Sequence, residues 1–145
     1  MRSFNPEGKD GRLDNLELRT SNIELFNMKK WLPPVLWCGF IFYMSSRQGS
    51  ELPPFPLSDK IIHFCVYAIL GFLFARALAN VSSLGRFEIT VIAMLLSFFY
   101  GIADEVHQSF VPSRTAELYD LIMDLAGGLF GATLYGYKFF NCKKS

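Results

Sequence analysis

Four long apolar segments, joined by short polar connections, constrain this chain more than anything else in it. They run from about Trp31 to Ser45, Lys60 to Ala79, Phe87 to Phe110 and Leu118 to Phe140. A membrane-spanning helix needs ~20 predominantly apolar residues. Half the chain is hydrophobic and only 19% is charged, too greasy for an ordinary soluble domain of this length. The expectation is an all-α integral membrane protein, an antiparallel bundle of four transmembrane helices. Its surroundings would be the lipid bilayer. A net charge of +1 gives no electrostatic case for nucleic acid. The oligomeric state is not legible.

The segment boundaries carry information. The first segment is short for a span, so its ends must extend or tilt. Pro33 and Pro34 are expected in its first turn, where a missing N–H does no harm. The third segment has only 15 apolar residues if it stops at Ala103, too few to cross ~30 Å at ~1.5 Å per residue. Length therefore draws Asp104 and Glu105 into the helix. Residues 1–27 form a polar tail, read as disordered or as a short surface helix. Met28-Lys29-Lys30-Trp31-Leu32 reads as an alternative translation start followed at once by a membrane segment. Residues 28–140 form the membrane domain and residues 141–145 a basic tail. Cys38, Cys65 and Cys142 make no disulfide framework and no C-x-x-C pair.

Lysine and arginine counts set an orientation. Eleven lie in the tails and the second connection; three, Arg47, Lys60 and Arg114, lie on the other side. The positive-inside rule then puts both termini in the cytoplasm. It also puts Asp59–His63 and the run Asp104-Glu105-Val106-His107-Gln108-Ser109-Phe110-Val111-Pro112-Ser113-Arg114 on the same, outer, face. The balance keeps its sign without residues 1–27.

Helical spacing sharpens this expectation. Asp59, His63 and Tyr67 share a face of the second helix, continued by Gly71, Ala75 and Ala79. The third helix carries Ala93, Ser97, Gly101, Glu105 and Ser109. The fourth carries Asp120, Asp124, Gly128, Ala132 and Gly136. Each row has ionisable groups toward one end and small residues toward the other. Small residues let membrane helices approach closely. The reading is a tight bundle inside and a three-helix polar pocket in the outer third. Its walls and rim hold Asp59, Asp104, Glu105, Glu117, Asp120 and Asp124 against Lys60 and Arg114, a balance of −4 if all ionise. Protons, hydrogen bonds from Tyr67 or Gln108, or a bound cation must offset that excess.

Each residue also has a plainer reading. His63 alone is as readily a hydrogen-bonded core histidine, and His107 an interface residue. Lys60 and Glu117 read as rim residues in water, and Asp120 as a partner of its helix dipole. Glu105 with Arg114 reads as a structural tie, Tyr67 as packing. Asp124, a turn deeper, is harder to dismiss. Arg114 is suited to clamp a carboxylate with two hydrogen bonds. No G-x-S-x-G, H-E-x-x-H or P-loop is present. No cofactor is expected. Two histidines and several acids could hold a divalent cation, but no pair has a diagnostic metal spacing.

The motifs Asp59-Lys60-x-x-His63-Phe64-x-x-Tyr67, then Asp104-Glu105-x-x-Gln108-x-Phe110-Val111-Pro112-x-Arg114, then Asp120 and Gly127/Gly131, resemble the VanZ-like family. Ser45-Ser46 fits too. That family commonly has Asn where Asp124 stands. The resemblance covers roughly Trp31 to Tyr137. It implies a small bacterial multi-pass protein of the inner membrane; the family's namesake is associated with resistance to the glycopeptide teicoplanin. Three mechanisms follow as expectations. A non-enzymatic protein would bind or shield a cell-envelope component, with Tyr67, Lys60, Arg114 and Asp124 on the glycopeptide or lipid-linked ligand. An intramembrane enzyme would use Asp104 or Glu105 as base, His63 as acid or base and Arg114 as anion clamp, with Asp59, Gln108 and Asp120 beside them. A small transporter subunit would relay protons through the buried acids.

Overall fold

The computed structural model describes residues 11–47, 56–112, 114 and 117–142, with side chains for 27–47, 59–112, 114 and 117–138. The described residues form four helices and no strand: α1 (Gly11–Ser45), α2 (Pro56–Val81), α3 (Arg86–Gln108) and α4 (Leu118–Cys142). Two are long and apolar enough to cross a membrane, Asp59–Val81 with mean hydropathy 2.0 and Arg86–Gln108 with 1.7.

The expected boundaries of α2, α3 and α4 hold to within a few residues; α1 differs. It begins at Gly11, inside the polar tail, and lengthens toward the amino terminus. Pro33 and Pro34 therefore lie in the helix interior, not in its first turn. Each forfeits one backbone hydrogen bond there, to the carbonyls of Lys29 and Lys30. Tertiary contacts brace the stretch that follows. The Trp37 indole N–H donates to the Val66 carbonyl at 3.0 Å, and the Tyr100 hydroxyl donates to the Cys38 carbonyl at 2.6 Å.

The surface inverts the order of a soluble protein. Leu32, Val35 and Phe42 on α1, Ile61 and Ile69 on α2, Phe87 and Phe99 on α3, and Leu129, Phe130 and Leu134 on α4 are all exposed. Meanwhile His63, Ser97, Asp104, Glu105, Gln108, Asp120 and Asp124 are buried. In water the natural arrangement is the reverse, and so many exposed large apolar side chains over a buried polar cluster call for an apolar solvent.

Packing follows the small-residue rows. The closest pair is α2 with α4, and α3 packs on both. A Cβ on Gly71 would come 2.2 Å from the Gly128 carbonyl oxygen, and one on Gly127 would come 2.3 Å from that of Phe64. Bare backbones meet there, a mode suited to lipid, where contact and hydrogen bonds drive association in place of the hydrophobic effect. Toward the end marked by Ala75, Leu78, Ile89, Ala93, Ala132 and Tyr135 the core is apolar. A smaller apolar group, Ile41, Tyr67 and Leu70, joins α1 to the rest. Helix α1 touches α2 and α3 but not α4 among the described residues.

Candidate functional site

The polar ends of α2, α3 and α4 converge. The run from Asp104 to Gln108 is helical, as length arithmetic requires, and Ser109 caps α3. Hydrogen bonds from the amides of Phe110 to the His107 carbonyl and Val111 to that of Gln108 then turn the chain toward α4. Because 3.6-residue turns drift against a four-residue row, the buried face of α3 passes through Gly101, Asp104 and Glu105 to Gln108. Ser109, expected on that face, is exposed, and its hydroxyl donates to the Val106 carbonyl.

His63 and Asp124 form the centre. His63 Nδ1 lies 2.9 Å from Asp124 Oδ1, and both side chains are buried. Gly101 makes room for this pair: a Cβ there would lie 2.7 Å from Asp124 Oδ2. The Tyr67 ring stacks nearly parallel to that of His63, 6.2 Å away. Tyr67 is thus part of the site, but not as a donor to the acids, because its buried hydroxyl has no hydrogen-bond partner among the described residues.

Two further groups flank the centre. Lys60 donates to Glu117 Oε2 and to Asp120 Oδ1, so at the rim it bridges α2 to the start of α4. Asp120 is buried and serves both this bridge and the first turn of α4. On the other flank Gln108 Nε2 donates to Asp104 Oδ2 at 2.9 Å and more weakly to Ser45 Oγ at 3.4 Å. Arg114 donates through Nη1 to Gln108 Oε1 and through Nε to the Arg47 carbonyl. The expected tie between Glu105 and Arg114 is therefore absent. Glu105 instead accepts the backbone N–H of Glu117 at 2.9 Å, fixing the entry to α4. A glutamate one turn before the end of α3 is already within reach of that amide, whereas Arg114 faces the α1 side. His107 lies apart from the acids, with Nε2 3.0 Å from Ser46 Oγ and its ring against Phe42.

A pocket of about 190 Å³ opens beside this cluster. Its lining combines the apolar Phe40, Ile41, Met44, Ile62 and Val66 with Asp59, His63, Tyr67, Asp104, Gln108 and Arg114. The expected three-helix pocket is corrected here in one respect. Its walls come from α1, α2 and α3, while Asp120 and Asp124 of α4 lie behind His63. Glycine-mediated contact closes the α2–α4 seam, whereas large side chains hold α1 at a distance. Sequence reading missed the α1 wall; the signal was Ser45 at the end of an apolar helix. Ser113 lies outside the described residues.

Acidity tests the Lys60 bridge. Its ammonium holds the Glu117 carboxyl below the ordinary value of 4.5, chiefly by their hydrogen bond. A depressed folded-state value means stabilisation that is complete above the unfolded value and fades as pH falls through the folded one. Wild type should therefore lose more thermal stability than Glu117→Gln on going from pH 7 to about pH 3.5. Equal losses would assign the pair no role. Arg114→Lys should separate the loop from Gln108 and Arg47 while costing less than about 1 kcal/mol, because the contacts are half exposed. A melting curve of the purified variant checks this.

The family model VanZ/LLP1 matches residues 22–140, starting six residues ahead of Met28. An uncharacterized protein of the fission yeast Schizosaccharomyces pombe is 35% identical over 75 residues, which are 51% of this chain and 44% of that protein. The chain thus spans less than half of that relative's length. No solved structure matches. The match covers both polar walls, all the glycines of the α2–α4 seam and the Arg114 turn, and the chain belongs to the VanZ/LLP1 family.

Proposed function

We propose that this VanZ-type protein is a multi-pass protein of the cell (inner) membrane whose pocket opens to the outer side and binds an amphiphilic, lipid-linked envelope component. The observation that carries the reading is the pocket's mixed lining of large apolar and ionisable side chains. Phe40, Ile41, Met44, Ile62 and Val66 suit an acyl or isoprenoid chain, while Asp59, His63, Asp104, Gln108 and Arg114 suit a polar head. The apolar exterior of all four helices supports immersion in lipid. The lysine and arginine asymmetry supports cytoplasmic termini. Binding or shielding such a component is also the way a pocket of this kind would alter the access of a glycopeptide of the teicoplanin type to a lipid-linked target.

The reading is tested by mass spectrometry of amphiphiles that co-purify with the chain. Met44→Trp and Ile62→Trp put a bulky ring into the pocket lining without replacing any of the buried acids. Both should lose a discrete amphiphile present in wild type while melting at the same temperature. Retention of that molecule by both variants, or its absence from wild type, counts against the pocket. A single cysteine at Phe110, which is 81% exposed, should be labelled from outside the cell if the pocket faces outward.

A second reading is favoured by the contact of His63 with Asp124 at the pocket floor, an arrangement able to pass a proton. As an enzyme, the protein would bind its ligand in a His63→Gln variant and leave it unchanged. As a binding protein, the variant would lose affinity and no product would exist.

A further inference from the structure

We propose that His63, Glu105 and Asp124 form a binding site for a first-row divalent cation, Zn²⁺ or Mn²⁺, buried behind the pocket floor. One ligand atom from each, an imidazole nitrogen and two carboxylate oxygens, lies within 4.8 Å of the other two. All three side chains are buried; Glu105 is 4% and Asp124 0% exposed. The independent observation is a pair of orphaned atoms. Glu105 Oε1 and Asp124 Oδ2 are buried and have no hydrogen-bond partner among the described residues. Such atoms are uncommon in native proteins and ask for a cause. Their counterparts are already engaged, Glu105 Oε2 by the Glu117 amide and Asp124 Oδ1 by His63.

Charge leads to the same place. Lys60 is spent on Glu117 and Asp120, and Arg114 on the neutral Gln108 amide and the Arg47 carbonyl. Neither cation reaches Glu105 or Asp124. A neutral imidazole with two carboxylates carries −2, which one divalent ion balances. The mixed nitrogen and oxygen donor set suits Zn²⁺ or Mn²⁺ better than Ca²⁺ or Mg²⁺, which favour oxygen alone. Three protein ligands leave a coordination position open, the pattern of reactive and not of structural zinc sites. His63 lines the pocket as well as the cluster, so it joins the ion to whatever the pocket holds. The site stands or falls independently of that ligand. A second group, Asp59, His63 and Asp120, shares His63, but Lys60 already occupies Asp120.

The test uses the full chain, purified in detergent without chelator and assayed by elemental mass spectrometry. It is then stripped and titrated with Zn²⁺, Mn²⁺ and Mg²⁺ while melting is followed. Wild type should carry about one transition ion per chain and melt higher with Zn²⁺ or Mn²⁺ but not with Mg²⁺. E105Q and D124N keep shape and hydrogen bonding, and each should weaken binding roughly tenfold or more, at least the loss seen when a metal's outer-shell partner is removed. E88Q, at the opposite end of α3, should bind as wild type does. No ion and no metal-dependent shift in folded wild type overturns the proposal. So does undiminished binding by both E105Q and D124N, including the case in which D59N and D120N abolish it.

Discussion

Gly131→Ala should destabilise the bundle more than any other single-methyl insertion in it. A Cβ at Gly131 would lie 1.8 Å from the Ala68 carbonyl oxygen and 2.7 Å from its carbon. Backbone cannot rotate away as a flexible side chain does, so α4 must separate from α2. Overpacking a well-filled core costs about 1–3 kcal/mol, and a rigid backbone contact belongs at the upper end. The separation would also strip contact from Gly127 and Gly71, which share the seam. Gly39 supplies the control, because a Cβ there meets nothing within 4 Å. Gly39→Ala should leave stability unchanged or raise it by up to about 1 kcal/mol through helix propensity. Unfolding in mixed micelles titrated with denaturing detergent compares the two directly. Equal midpoints would mean that the α2–α4 seam does not hold the fold.

Asp124→Ala should be nearly as damaging for a different reason. It leaves His63 buried with no partner at Nδ1 and opens a gap against Gly101. Breaking one side of a buried pair costs about 3–5 kcal/mol, much of it the penalty of the group left behind. Asp124→Asn keeps the size and an acceptor for the His63 N–H, and should recover most of the stability. The pair of variants thus separates packing from charge. Asn matching wild type in stability while losing the bound ion or ligand assigns the charge to function. Asn as unstable as Ala would make the carboxylate a structural element.

Much of this was legible in the residues, for identifiable reasons. The rows His63–Tyr67–Gly71 and Asp124–Gly128–Ala132 are buried as spacing implies, because two or three steps along a four-residue row drift little around a helix. Asp104 and Glu105 lie inside α3, as expected for a helix long enough to cross a membrane. The errors occur where geometry depends on neighbours. Pro33 and Pro34 sit within α1, since no local signal told how far the helix extends before Trp31. Arg114 turned toward Gln108 and Arg47, and Glu105 toward the Glu117 amide, choices fixed by how a short turn folds and not by charge pairing. The α1 wall of the pocket was invisible to spacing, which relates residues within one helix only.

Photo-crosslinking bears most directly on the pocket. A photoreactive phenylalanine analogue replacing Ile62, at the pocket, and separately Phe99, exposed on α3 away from it, would each be activated in native membranes. A binding pocket predicts one discrete amphiphile captured at position 62 and a sample of bulk lipid at position 99, with the first capture weakened by Asp104→Asn. Capture of the same lipid mixture at both positions would contradict a pocket that selects a ligand.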